Sequence, residues 1–358
     1  FDLAPVIIVA FFTALLVMGT KIGARVDGAL TILKIAIVVF IVVVGFFYIK
    51  AENFTPFIPP SEPAASTDGS GVSAVMEQPL WQWATGMAPS IYGVTGIISG
   101  AALVFFAFLG FDVVATASEE TINPKKNVPL GIGVGLGLII VLYTLVAIVT
   151  TGMVSYKDLA KQSDPSLAVA FKMVGADWAA KIISLGIVIG MATVVMVLLL
   201  GLTRVVFAMS RDGLLPRGLS HTGKHGTPVR LQIIVGVVMA LIAACCNVGI
   251  LSDMVNIGTL SAFTLVAISI PIMRKKRPDL ERSFKIPGNP WVPILIAIAN
   301  LWLMVNLSVL TWIRFVVWLI VGFASTSAMA TVMPVSVPAN SKLPRKSNLE
   351  QYTLLLRR

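Results

Sequence analysis

Charged residues are scarce: Asp, Glu, Lys and Arg make up 12% of the 358 positions, where a water-soluble domain carries about 25%. With 57% apolar residues and a mean hydropathy of +0.91, that shortfall excludes a disordered chain and a single soluble enzyme domain. Histidine and cysteine are nearly missing too, with two of each. His221 and His225 stand in a basic loop away from any ligand cluster, and Cys245 and Cys246 are adjacent inside an apolar run. Neither a metal site nor a disulfide framework follows from them. No histidine lies within an apolar run, no Ser/His/Asp set converges, and no glycine-rich phosphate loop occurs. The sequence therefore predicts no enzyme, no cofactor and no metal. The surplus of 27 Lys and Arg over 17 Asp and Glu would suggest nucleic acid in a soluble protein. Here it is the basic charge that orients membrane segments, and no nucleic-acid partner is expected.

What the sequence does have is long apolar runs, at about 3–18, 26–49, 97–117, 130–154, 182–209, 232–248, 254–273, 291–307 and 309–324. Backbone groups in lipid must be satisfied internally, so only helices or closed barrels span a bilayer. Continuous runs without alternation choose helices. The fold class predicted is an all-α polytopic membrane protein, with a transmembrane core over 1–324, a Pro/Ser/Gly-rich extracytoplasmic loop over 50–96, and a polar, aperiodic cytoplasmic tail over 325–358. Loops on one side hold twenty Lys and Arg and those on the other hold five. That asymmetry puts the C-terminus in the cytoplasm and residue 1 outside, as in a multi-pass protein of the plasma (inner) membrane. The sequence opens on Phe1, already in an apolar run, which predicts about three further crossings upstream. Membrane lipids are an expected partner, with Arg274-Lys275-Lys276-Arg277 at the headgroups. Trp302, Trp312 and Trp318 read as interface and lipid packing.

Polar groups within the apolar runs carry the functional signal, because intramembrane ionisable groups are costly. Gly110 and Asp112 interrupt the third run near mid-depth. One reading is a broken helix, whose exposed backbone ends bind charged substrate groups as in transporters. The other is a continuous helix with Gly110 packing closely and Asp112 bonded to a neighbour. Lys34 lies about eight residues into the second run. It either snorkels to the interface or is a buried ammonium that titrates during transport. Arg204 and Arg211, seven apart on one helical face, are either orientation anchors or part of an inner gate. Glu119 and Glu120 are either a helix end with local salt bridges or the gate's acidic partners.

The run Phe105-Phe106-Ala107-Phe108-Leu109-Gly110-Phe111-Asp112, then Ala115-Thr116-Ala117-Ser118-Glu119-Glu120, Asn123-Pro124 and Pro129, resembles the sixth-helix signature of the amino acid–polyamine–organocation transporters. Thr203-Arg204-Val205 to Met209-Ser210-Arg211-Asp212-Gly213-Leu214-Leu215-Pro216 resembles the eighth-helix end of the same superfamily. Bacterial members of the cationic amino acid transporter family are the nearest in pattern. The resemblance covers about 1–324 and implies helices four to twelve of a twelve-helix protein. It implies a LeuT-type fold, with two inverted five-helix repeats and a central site between broken helices one and six.

By that resemblance Phe106 is the aromatic that closes over the substrate. The carbonyls of Phe105, Phe106 and Phe108, with Ala107 between them, receive the substrate ammonium. Gly110 and Asp112 shape the break. Lys34 matches a fifth-helix lysine that takes the place of a sodium site in proton-coupled relatives. The function expected is alternating-access transport of amino acids, coupled to protons. The alternatives are a sodium-coupled or exchange-type permease, and an inactive truncated or accessory membrane subunit.

Overall fold

The computed structural model describes residues 3–18, 20–63, 75–87, 90–116, 121–162, 165–212, 214–216, 218, 229–245, 248–279, 284–286 and 288–332. Eight of the nine apolar runs are continuous helices: α1 (Leu3–Met18), α2 (Thr20–Phe46), α6 (Pro124–Met153), α9 (Asp177–Arg211), α10 (Val229–Cys245), α11 (Val248–Lys276), α12 (Trp291–Val305) and α13 (Val309–Val332). The ninth is broken into α4 (Gly93–Val104), a 3-10 turn (Phe105–Phe108) and α5 (Phe111–Thr116). Shorter helical pieces among the described residues are a 3-10 turn (Ala51–Phe54) and the α-helices α3 (Leu80–Thr85), α7 (Tyr156–Ala160) and α8 (Leu167–Met173). Among the described residues, six helical segments are long and apolar enough to cross a membrane. The 17 described residues of α10 cover about 25 Å at 1.5 Å per residue, most of a hydrocarbon core of about 30 Å.

Burial is concentrated in three seams. Ile41 of α2, Val149 and Met153 of α6, Phe171 of α8 and Ile183 of α9 form the first. Val9, Phe12 and Leu16 of α1 meet Met196 and Leu199 of α9 and Leu231 and Val235 of α10 in the second. Ala102 of α4, Ile257 and Leu260 of α11, and Met304 of α12 form the third. The long helix α9 belongs to two of these seams and ties them together.

Helices approach closely where one of them offers no side chain, which is how segments in lipid gain packing energy. A Cβ placed on Gly186 would lie 2.6 Å from Ile37 Cδ1 and 2.9 Å from its Cγ2, at the crossing of α2 and α9. Gly186→Ala is expected to cost about 1–3 kcal/mol, the range for overpacking a filled interior. The measurement is thermal unfolding in detergent beside Gly190→Ala, whose added methyl meets only Lys34 Cγ at 3.9 Å. Equal midpoints would show that α2 moves aside freely.

Two regions carry more structure than the sequence predicts. Within 50–96, a two-residue strand β1 (Glu62–Pro63) pairs antiparallel with β2 (Ser90–Ile91). The Lys157 ammonium at the start of α7 binds Glu62 at 2.8 Å and lies 5.7 Å from the Tyr92 ring centroid. The hydrogen bond and charge of Glu62 hold that ammonium above its ordinary pKa. Further along, Leu80 N–H donates to Leu307 O (3.0 Å) and Val309 N–H to Gln78 O (3.1 Å), which docks α3 on the turn between α12 and α13. The second region is the start of the predicted tail. Helix α13 runs on to Val332, past Ala324, and the Ser325 and Thr326 hydroxyls are satisfied within it by donating to the Gly322 carbonyl at 2.9 Å each.

The interrupted span as candidate binding site

Between Val104 and Phe111 the backbone leaves the α-helix. The 3-10 turn Phe105–Phe108 tightens the ladder, and Leu109 is extended with φ −65° and ψ 147°. Gly110 then takes φ +119°, a conformation that a residue with a Cβ rarely adopts. Helix α5 starts afresh at Phe111. The backbone at Gly110 is therefore broken rather than continuous helix.

Groups freed at such a break need partners, because none come from lipid. Two neighbouring helices supply them. From α6, the Tyr143 hydroxyl donates to Ala107 O at 3.1 Å, and its ring meets Phe108 edge-on at 5.2 Å. From α11, the Asn256 amide donates to Leu103 O at 3.4 Å. Two turns further along α11, Phe263 touches both sides of the break, Phe105 at 6.1 Å and Phe111 at 5.2 Å between ring centroids. Helix α5 rests on α9, where Val113 methyls lie 3.0 and 3.1 Å from the place a Gly201 Cβ would occupy. Tyr143→Phe removes the hydroxyl donor and leaves the ring. A hydrogen bond of this kind contributes about 0.5–1.5 kcal/mol net, so substrate affinity is expected to fall roughly two- to ten-fold. Radiolabel competition on purified protein checks this, and an unchanged affinity would detach Tyr143 from the site.

The predicted site residues fall as follows. Phe105 and Phe108 are half-buried in the ring contacts above, whereas Phe106 is 47% exposed and not packed beneath its neighbours. Its carbonyl accepts Leu109 N–H at 3.2 Å. Asp112 lies in the first turn of α5, and its side chain is outside the described residues, as are Glu119 and Glu120. Arg204 is half-buried near the end of α9, while Arg211 is exposed and lies 3.7 Å from Asp212. Lys34 is half-buried on α2, with its stem beside Gly190 of α9. Gly190 and Gly201 are eleven residues apart, so Lys34 meets α9 roughly 16 Å along its axis from the point where α5 rests. Lys34 is thus linked to the break through α9 rather than placed in it.

Tyr143, Asn256 and Phe263 had not been singled out in the sequence. Asn256 left the one usable signal, an amide within an apolar run. In the structure it is wholly buried, and among the described residues its Oδ1 has no hydrogen-bond partner. Enclosing such an oxygen costs about 1–3 kcal/mol. Trp312 is more than lipid packing: its indole N–H caps the Met304 carbonyl at 2.9 Å. Two cavities lie away from the break. One, of about 530 Å³, is at the C-terminal end of α2 beside α7 and α8. The other, about 830 Å³ and lined by apolar and small residues, is a groove between α1 and α10.

Long apolar helices around an interrupted span, its loose ends held by side chains of neighbouring helices, define a polytopic membrane protein of the transporter class. The chain belongs to the amino acid permease family of the amino acid–polyamine–organocation superfamily, whose family description "Amino acid permease" matches residues 3–337. It is 40% identical over 323 residues to the methylthioribose transporter of Bacillus subtilis (90% of this chain, 63% of that one). It is 39% identical over 323 residues to the branched-chain amino acid permease BcaP of the same organism (90% and 62%). A third relative, cationic amino acid transporter 3, mitochondrial, of Arabidopsis thaliana, is 34% identical over 281 residues (78% and 42%). The chain thus spans about six-tenths of the length of its two Bacillus relatives, and these relatives are transporters, not enzymes.

Proposed function

We propose that the interrupted span holds the amino group of an amino acid, and that the protein carries this substrate across the plasma membrane by alternating access coupled to protons. The observation that supports this most is the break at Leu109–Gly110, where φ of +119° and a 3-10 turn replace continuous helix in the middle of a span. The C-terminal end of α4 carries the negative end of a helix dipole, which suits an ammonium group. The rings of Phe105, Phe108, Tyr143 and Phe263 give the surroundings an apolar character, favouring a branched apolar side chain over a cationic one. On this reading Phe106, exposed beside the break, is the outer gate, and Arg204 and Arg211 with Glu119 and Glu120 belong to an inner one. The arrangement is a LeuT-type core in which the described helices take places four to twelve, with the C-terminus in the cytoplasm. Lys34 carries the coupled proton, and its charge opposes a sodium ion in the same place.

The near-equal identities to a methylthioribose transporter and a branched-chain permease support one further reading, in which a neutral thio-sugar is the substrate. The test is uptake into proteoliposomes with and without an inward proton gradient. Labelled leucine, labelled lysine and labelled methylthioribose are compared, using the full gene product. Gradient-stimulated leucine uptake is the expected result. Uptake of methylthioribose alone would select the second reading, and sodium-dependent uptake would remove the proton from the mechanism.

A further inference from the structure

Asn256 stands on α11, eight residues after its start, wholly enclosed beside Ile257 and Leu260 of the third seam. Its Nδ2 lies 3.4 Å from the carbonyl of Leu103, the residue before the last of α4. In a continuous α-helix that carbonyl would take the Ala107 N–H four residues on. At Phe105–Phe108 the ladder tightens to a reach of three, and the Phe105 N–H points to Leu103 O as well as Ala101 O; the Leu103 carbonyl thus stands at the changeover, where the side-chain amide adds a second donor. Turning the amide over would set Oδ1 against a carbonyl oxygen, so Leu103 fixes which way the donor points. The other half of the amide, Oδ1, is enclosed without a partner among the described residues. A leucine would fill the space without that penalty, so the donor is what sets Asn256 apart from apolar filling.

Resting on the proposed function, we infer that Asn256 is a positioning residue for substrate binding: by donating to the Leu103 carbonyl from α11, it fixes where α4 ends and hence where the acceptor groups of the break stand. Tyr143 does the equivalent from α6 at Ala107. The broken strand of backbone is therefore held between two helices, one bond on each.

The discriminating variant is Asn256→Asp. A protonated carboxyl can donate its O–H to the Leu103 carbonyl, whereas an ionised one faces it with negative charge. Burial raises the pKa of such a carboxyl. The KM of the aspartate variant for labelled leucine is therefore expected to match the unsubstituted protein at acid pH. It should rise roughly two- to ten-fold above it as pH increases, the range a single hydrogen bond gives. Asn256→Leu is expected to show the raised KM at every pH, with maximal rate little changed. Among the described residues, α4, the 3-10 turn and α12 bring no titratable group to this place. Asp253 lies one turn away on α11, bonded by Thr311 Oγ1 at 3.3 Å, and Arg314 of α13 is beside it. The series is therefore repeated in Asp253→Asn.

Hydrogen–deuterium exchange over residues 101–110 gives a readout that needs no transport. Faster exchange is expected in Asn256→Leu, and in Asn256→Asp only at the higher pH. A KM ratio that stays flat with pH, or exchange that does not change, overturns the inference while leaving the permease reading intact. Exchange that responds as expected in a protein that takes up no amino acid overturns the permease reading and leaves the anchor at Leu103 standing.

Discussion

Gly110→Ala is expected to lower substrate uptake by on the order of ten- to a hundred-fold, while Gly100→Ala, ten residues earlier in the same span, leaves it unchanged. Both glycines have open space where a Cβ would go, with no atom within 4 Å, so crowding contributes to neither substitution. They differ in the backbone. Gly100 lies in regular helix within α4, where alanine is the better helix former. Gly110 holds φ +119°, and forcing a side chain into such a region costs about 1–3 kcal/mol. The chain can relieve that cost by straightening the break, and the acceptor groups then disperse. Uptake assays on both variants, with circular dichroism to show that the helices persist, check this. Full activity in Gly110→Ala would mean that the break is not the binding site.

The second large effect concerns Lys34. Lys34→Ala is expected to abolish stimulation of uptake by a proton gradient, while exchange of internal for external substrate continues. The motive is a half-buried ammonium within a span, a placement with a cost of about 2.5–3.5 kcal/mol on insertion scales. Lys34→Arg separates charge from titration, because a guanidinium keeps its proton at any working pH. It is expected to lose the gradient response as the alanine variant does. If either variant kept gradient-driven uptake, Lys34 would be a lysine whose stem packs on α9 and nothing more.

Apolar runs were legible because the bilayer imposes one demand on every span, and each run is helical in the structure. The break was legible for a local reason: a glycine followed by an acid in an otherwise apolar segment has few explanations. What holds the break was not legible. Tyr143 lies 36 residues from Ala107, and Asn256 lies 153 from Leu103. Both sit in runs whose composition only says helix, and their pairing is a product of how the helices pack. The same applies to α3, which docks on a turn more than two hundred residues away through backbone groups that leave no trace in residue type. The end of α13 escaped notice because Ser325 and Thr326 look like loop residues until their hydroxyls turn inward.

Helix α9 meets the stem of Lys34 at Gly190 and the methyls of Val113 at Gly201. Eleven residues return a helix almost to the same angular position, only about 20° away at 3.6 residues per turn. Both contacts therefore fall on one side of a single stiff rod, and both are made where that rod has no side chain. The two places where Lys34 and the broken span bear on α9 thus share one face of one stiff helix, so a displacement of α9 along or about its axis reaches α2 and α5 together.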